Sequence, residues 1–178
     1  MAIIHTLGHS TRDLADFSRV LQAHDIRLLE DIRAFPMSRR YPHFNRDNLE
    51  MWLPEIGSEY IWEKDLGGRR SQQMPADQSP HVALRNPAFR NYADYMLSPK
   101  FHQAIERLVE RSVQAHTAIM CAEHLFFRCH RMLVSDYLLG QGHTVLHILD
   151  EKPPTPHKLS PDARVIDGRL IYRGDYLL

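Results

Sequence analysis

Thiol, carboxylate, imidazole and guanidinium side chains occur together within eleven positions in the second half of the chain. They are Cys121, Glu123, Cys129, His130 and Arg131. A thiol becomes reactive when cationic neighbours or a helix amino terminus lower its pKa. A carboxylate can move a proton, and an arginine can hold an oxyanion or a phosphate. The segment therefore predicts a reactive centre, with Cys121, Glu123 and His130 as the catalytic residues.

Two further polar clusters predict a binding surface for an anion. One is Gly8-His9-Ser10, and the other runs from Asp31 through Arg33 to a serine and two arginines at 38–40. Several fixed donors beside helix amino termini suit an anion. We expect the substrate-binding residues to be His9, Ser10, Asp31, Arg33, Ser38, Arg39 and Arg131. The segment Gly67-Gly68-Arg69-Arg70 is a candidate for a fourth cluster.

Each cluster also has a purely structural interpretation. Residues such as His9 and Ser10 cap helices, Asp31 and Arg33 suit a structural ion pair, and buried cysteines are most often core residues. The segment 38–40 is equally typical of a solvated loop.

The two cysteines and the adjacent histidine are potential metal ligands as well. Their spacing, C-x7-C-H, matches no common zinc pattern, so we expect no metal. We also expect no disulfide between Cys121 and Cys129, because a strand end and a helix seldom present the required geometry.

The elements that position these residues alternate between strand and helix. An apolar run over 2–7 predicts a strand, and the spacing of Leu14, Phe17, Val20 and Leu21 predicts a helix capped by Ser10 or Thr11. The segment 27–33 predicts a second strand. Such a strand-helix-strand unit gives parallel pairing. Each of the three clusters follows a predicted strand, and ligands of open α/β sheets bind beyond the carboxyl ends of the strands.

The remaining elements complete an α/β pattern. Further strands are predicted at 59–62, 117–121 and 143–149, and helices after Asn45, Asn86-Pro87, Ser98-Pro99 and the 117–121 strand. Segments 64–86 and 151–163 are predicted to be a long loop and a connector, and Asp167-Gly168 predicts a β-hairpin. The predicted fold is a mostly parallel sheet with helices on both faces, a Rossmann-like three-layer arrangement, plus a C-terminal β-hairpin. We expect one α/β domain over 1–178.

The composition limits the class of protein. The chain has 178 residues, with 22 Lys and Arg against 22 Asp and Glu, so the formal net charge is zero. This balance removes the usual electrostatic argument for a dedicated nucleic-acid binder. Two cysteines do not support a disulfide scaffold, and no apolar run reaches the roughly 18 residues of a membrane span. The amino terminus does not read as a signal peptide. We expect a cytoplasmic protein with no membrane partner.

A set of short motifs carries a family resemblance. They are Thr6-Leu7-Gly8-His9-Ser10, Asp31-Ile32-Arg33 with Pro36 and Ser38-Arg39, Leu66-Gly67-Gly68, Met120-Cys121-Ala122-Glu123, and Cys129-His130-Arg131. In this order the chain resembles domain-of-unknown-function family 488 over about 3–150, and 151–178 is a C-terminal extension. One departure is Glu30-Asp31-Ile32-Arg33, where Val-Asp-Val-Arg is expected. The resemblance implies an α/β fold and these signature positions, but no particular reaction.

The sequence leaves several functions open. The preferred hypothesis is a small enzyme that acts on an anionic substrate bearing a phosphate group, such as a nucleotide or a nucleic-acid end. One alternative is a non-catalytic accessory domain that binds a ligand or nucleic acid, and another is a buried structural network. A third is rhodanese-like thiolate chemistry, although six residues separate Cys121 from Arg128 where five are typical, and Glu123 would place a carboxylate in the anion cradle. The cofactor and the oligomeric state stay unassigned.

Overall fold

The computed structural model describes residues 1–174 as alternating strands and helices. The helices and strands are β1 (Ile3–Gly8), α1 (Leu14–Ala23), β2 (Leu28–Asp31), α2 (Arg46–Trp52), β3 (Glu59–Trp62), α3 (Pro87–Tyr95), α4 (Pro99–Gln114), β4 (Thr117–Cys121), α5 (Arg131–Gly140), β5 (Thr144–His147), β6 (Thr155–Pro156), β7 (Ala163–Ile166) and β8 (Arg169–Tyr172). Short 3₁₀ turns lie at Pro42–Phe44, Leu53–Ile56, Lys64–Leu66 and Phe126–Arg128.

Six strands form one sheet in the order β3-β2-β4-β1-β5-β6. Neighbours among β3, β2, β4, β1 and β5 pair in parallel, which confirms the predicted parallel arrangement. Gly8 at the end of β1 lies opposite Cys121 at the end of β4, and Asp31 at the end of β2 lies opposite Met120. The carboxyl ends of the three strands that precede the polar clusters therefore lie side by side at the same end of the sheet.

The strand β6 differs from the sequence prediction of a plain connector. Its two residues pair antiparallel with β5 and form an edge of the sheet. Pro156 is tolerated there because an edge position does not require a ladder donor from every residue.

Two separate hydrophobic cores show that helices cover both faces. One core joins Leu7, Leu29 and Met120 of the sheet to buried residues of α1 and α2. The other joins Ile4 and Ile119 to α3, α4, α5 and the C-terminal hairpin. A parallel sheet buried on both faces requires such coverage, so its strands are apolar runs. The three-layer α/β prediction is confirmed.

The first helix is capped differently from the sequence prediction. Asp13, not Ser10 or Thr11, is the N-cap, and its carboxylate accepts a hydrogen bond from the backbone N of Asp16 at 2.7 Å. Ser10 has a φ of 52°, and its backbone N donates to the carbonyl of Ala122, so it belongs to the loop beyond the sheet. The caps at Asn86 and Ser98 are confirmed, because both side chains accept from the backbone of the following turn.

The C-terminal hairpin of β7 and β8 is also confirmed. Asp167 and Gly168 have φ values of 50° and 74°, the pair of positive angles that a two-residue type I′ turn requires. The hairpin packs on α5, where buried Asp136 accepts hydrogen bonds from the Tyr172 hydroxyl and the His157 ring. Residues 175–178 of the predicted extension lie outside the described residues. Within 1–174, no helix is long and apolar enough to cross a bilayer.

Candidate functional site

A cleft of about 640 Å³ opens at the carboxyl ends of β1, β2 and β4. Its lining comes from the loops after these strands, the Gly68-Arg69 segment and the start of α5. Of the predicted site residues, the lining includes His9, Ser10, Arg33, Ser38, Cys121, Glu123 and His130. Side chains separated by more than a hundred positions are thus brought together.

The loop after β1 packs tightly against the loop after β4. The backbone N of His9 donates to the carbonyl of Cys121 at 2.9 Å, and a Cβ at Gly8 would meet the Glu123 carbonyl oxygen at 1.9 Å. Only glycine permits this approach. The buried His9 ring stacks on Phe44, with ring centroids 4.3 Å apart. Burial, and then the nearby Arg33, lowers the pKa of His9 to about 4, so the imidazole is neutral at pH 7.

Asp31 and Arg33 form a buried ion pair at the end of β2. Nε of Arg33 donates to both carboxylate oxygens at 2.9 and 3.0 Å, and Nη2 donates to one of them at 2.5 Å. Nη2 also donates to the Phe44 carbonyl, and the Tyr60 hydroxyl donates to Asp31 at 2.7 Å. Asp31 therefore lies behind the cleft wall, and its carboxylate offsets the positive charge of Arg33.

Two exposed arginines lie at the mouth of the cleft, and Arg39 is not one of them. The lining includes Arg40 and Arg69, whereas Arg39 is exposed beside it. Both Arg39 and Arg40 lie in the turn at Ser38, whose hydroxyl accepts from the backbone N of Tyr41 at 3.0 Å. Substrate binding by Arg39 stays a prediction.

Aromatic and apolar side chains flank these cations. Phe35 is 66% exposed and Met37 is 75% exposed, and both line the cleft. The Arg69 guanidinium lies 5.9 Å from the centroid of the Phe35 ring, and that of Arg40 lies 5.4 Å from the centroid of Tyr41. The mouth of the cleft thus combines positive charge with flat apolar surface.

A cluster of two thiols and an imidazole lies at the floor of the cleft, where Cys121 and His130 belong to the lining and Cys129 lies beside them. Cys121 ends β4, Cys129 and His130 directly precede α5, and one potential ligand atom from each lies within 4.8 Å of the other two. Both cysteines are free. The hydrogen bond from Cys129 lowers the pKa of Cys121 well below its ordinary value, and the same interaction, together with burial, raises the pKa of Cys129. The thiolate form is therefore favoured at Cys121 over Cys129.

Arg131 lies behind the cleft and not in its lining. Its side chain is among the largest fully buried ones, at 1% exposure. It donates to the backbone carbonyls of Glu123 and His124, which bends the loop after β4 around the guanidinium. It also approaches Cys129 Sγ at 3.3 Å. These contacts use the guanidinium to hold the loop, and substrate binding by Arg131 stays a prediction.

Glu123 lines the cleft with an exposed side chain. Within residues 1–174, its carboxylate makes no hydrogen bond or ion pair. The reactive groups that lie close to one another are Cys121, Cys129 and His130.

The residues predicted for the site do not include Phe35, Met37 or Tyr41. Arg40 and Arg69 stand in polar segments that follow predicted strands, and the sequence analysis includes them only as members of those segments. Phe35, Met37 and Tyr41 carry no signal in the sequence, since exposed apolar residues are common on any surface.

Comparison with protein families gives one match. The model of the family described as "Domain of unknown function DUF488" matches residues 13–138. The chain belongs to this family. The DUF488 match includes the Asp31-Arg33 pair and the segment from Cys121 to Arg131, while Gly8-His9-Ser10 precedes it. No curated protein and no solved structure matches the chain significantly.

Proposed function

We propose that this DUF488 protein is an enzyme that acts on an anionic substrate bearing a phosphate group, such as a nucleotide or a nucleic-acid end. The observation that carries the proposal is a group of two thiols and an imidazole within 4.8 Å of one another, two members of which, Cys121 and His130, line a cleft. The same cleft is lined by two exposed arginines, Arg40 and Arg69. Contacting nucleophilic and proton-transferring groups below an anion-binding rim are the usual parts of a catalytic pocket.

Arg40 and Arg69 are the groups that would bind the phosphate. Within 1–174 neither forms an ion pair with a carboxylate, so their guanidinium forks stay available for phosphate oxygens. Arg33 is less suited, because its fork is already used by Asp31. The proposal therefore assigns to Arg40 and Arg69 the anion-binding role that the sequence predicts for Arg33 and Arg39.

Phe35 and Met37 support the nucleotide part of the proposal. Large exposed apolar side chains beside arginines provide a stacking surface for a base, and base stacking on aromatic rings contributes about 1–3 kcal/mol per base. The cleft lining includes both the apolar side chains of the rim and the thiol of Cys121, so it offers surfaces for a base and for a reacting group.

A non-catalytic binding domain would use the same rim. It would have no need of two thiols and an imidazole grouped beside the cleft, and this grouping favours the enzyme. Rhodanese-like chemistry has less support, because Arg128 is exposed and does not belong to the described cleft lining.

Binding of a panel of nucleoside monophosphates and short single-stranded oligonucleotides tests the proposal. Arg40→Ala and Arg69→Ala should each weaken binding by about 1.5–3 kcal/mol, the contribution of a charge-assisted hydrogen bond. Arg39→Ala is the matched control and should bind like the unmodified protein. Turnover of the tightest-binding probe should be lost in Cys121→Ser. Equal effects of Arg39→Ala and Arg40→Ala, or no binding of any phosphate-bearing probe, would contradict the proposal.

A further inference from the structure

The geometry points to a metal site formed by Cys121, Cys129 and His130, suited to Zn²⁺ and with one coordination position open to the cleft. This inference deepens the proposed function, on which it rests for its catalytic meaning. Metal binding itself needs no substrate, so it can be tested alone. C-x7-C-H spacing matches no common zinc pattern, and the ligands come together only through the fold.

The three donor atoms are close enough to share one ion. They lie within 4.8 Å of one another, while ligand atoms of a tetrahedral Zn²⁺ with thiolate bonds are about 3.7 Å apart. Small side-chain rotations close this difference. Thiolate and imidazole are the ligands that Zn²⁺ prefers, and together they exclude Mg²⁺ and Ca²⁺, which bind oxygen.

The orientation of the His130 ring is already fixed for metal binding. Its Nε2 lies 2.8 Å from the Ile32 carbonyl oxygen, and a carbonyl can only accept, so Nε2 carries the hydrogen. The lone pair is then on Nδ1. A second contact of this kind, to a backbone carbonyl, is the usual companion of a metal-bound histidine.

Gly68 packs closely against the Nδ1 side of that ring. A Cβ at position 68 would lie 2.2 Å from Nδ1 of His130, so any side chain there would displace the imidazole. The Gly67-Gly68 motif therefore has a role at the floor of the cleft, beyond turn formation.

Buried Arg131 supplies a compensating charge beside the cluster. Its Nε donates toward Cys129 Sγ at 3.3 Å, and its other donors go to backbone carbonyls and to the Thr6 hydroxyl. Within 1–174 it has no carboxylate partner. The positive charge of Arg131 offsets part of the negative charge that two thiolate ligands bring to this site.

The ligand count indicates a catalytic rather than a structural ion. Among the described residues no fourth Cys, His, Asp or Glu joins the group. Cys121 and His130 both line the cleft, so the fourth position faces it. Three protein ligands with an open position are typical of catalytic zinc, and a water or a substrate oxygen binds there. In this arrangement Cys121 is a ligand and not the attacking group.

Titration of reduced, metal-free protein with Zn²⁺ and Co²⁺ tests the inference. We expect one equivalent of Zn²⁺ per chain, and Co²⁺ spectra with thiolate charge-transfer bands and tetrahedral ligand-field intensity. Cys121→Ser, Cys129→Ser and His130→Gln should each weaken Zn²⁺ binding at least about 100-fold. Gly68→Ala should weaken it through displacement of the ring, while exposed His116→Gln, the control, should bind normally.

Circular dichroism and urea unfolding of each metal-free variant separate ligand loss from misfolding. A variant that unfolds is replaced by Cys→Ala at the same position. Less than about 0.1 equivalent of Zn²⁺ on the unmodified protein, or undiminished binding by Cys121→Ser, would overturn the metal site. The Arg40→Ala affinity loss is measured on metal-free protein, so its failure would count against the proposed function and not against the metal.

Discussion

The buried carboxylate of Glu30 should make the free energy of unfolding depend on pH, by an amount that follows from its surroundings. It lies in β2 with a fully buried side chain, and Arg111 Nη1 is 3.2 Å from one carboxylate oxygen. That approach lacks hydrogen-bond geometry, and neither oxygen has a hydrogen-bond partner. Burial raises the pKa of Glu30 from 4.5 to about 7, against the opposing effect of Arg111.

The sign of the pH dependence follows from proton uptake. The folded protein holds the Glu30 proton up to about pH 7, whereas the unfolded chain releases it near pH 4.5. The folded state therefore binds more protons over this interval, and stability falls as pH rises. At 1.36 kcal/mol per pKa unit, the loss between pH 4 and pH 8 is about 3 kcal/mol.

Glu30→Gln removes this titration and keeps the shape of the side chain. The free energy of unfolding of the variant, relative to the unmodified protein, should rise by about 3 kcal/mol from pH 4 to pH 8. Urea denaturation at five pH values measures it, and Glu59→Gln on the exposed side of β3 controls for loss of one carboxylate. A difference that stays constant or shrinks with rising pH would show that burial does not disfavour the Glu30 charge.

Three further predictions concern the site and its support. Arg33→Ala should lower the free energy of unfolding by about 3–5 kcal/mol, because it leaves Asp31 buried without its cation; a loss below about 1 kcal/mol in urea denaturation would argue against the pair. Burial, and then His157 and Arg131, lowers the pKa of His147 to about 3. Stability linked to His147 is therefore complete above pH 6.5 and lost as pH falls toward 3, and His147→Gln should flatten an acid-unfolding profile over that range. Glu123→Gln should abolish turnover while affinity for the phosphate-bearing probe stays equal or improves, since a carboxylate repels an anion; full activity of this variant in a turnover assay would remove Glu123 from the mechanism.

Replacement of Arg33 and replacement of Arg40 should affect different properties of the protein. Both residues are buried at the end of β2, so their loss should appear first as lower stability. Arg40 is exposed, and its replacement should change affinity with a stability effect within about 0.5 kcal/mol. Arg33 and Arg40 stand seven positions apart on one predicted polar segment, and the sequence pattern does not distinguish their roles.

Local features of the sequence determined most of the fold. Apolar runs predicted the parallel strands, and the N-cap and proline pairs at Asn86 and Ser98 located two helix starts. Asp167-Gly168 located the hairpin. These signals depend on residues within one or two turns of each other, so they can be recognised in the sequence without knowledge of tertiary contacts. The proximity of the clusters after β1, β2 and β4 followed from parallel pairing alone, because the carboxyl ends of parallel strands lie at the same end of the sheet.

Tertiary structure alone decided which contacts each side chain makes at the carboxyl ends of these strands. Arg40 lines the cleft and Arg39 does not, and the guanidinium of Arg33 is paired with the buried carboxylate of Asp31. The loop that brings Cys129 back beside Cys121 is bent around Arg131, through hydrogen bonds to carbonyls that carry no sequence information. Such outcomes depend on which donors and acceptors meet after distant segments pack, and residue types at a given spacing do not specify those meetings.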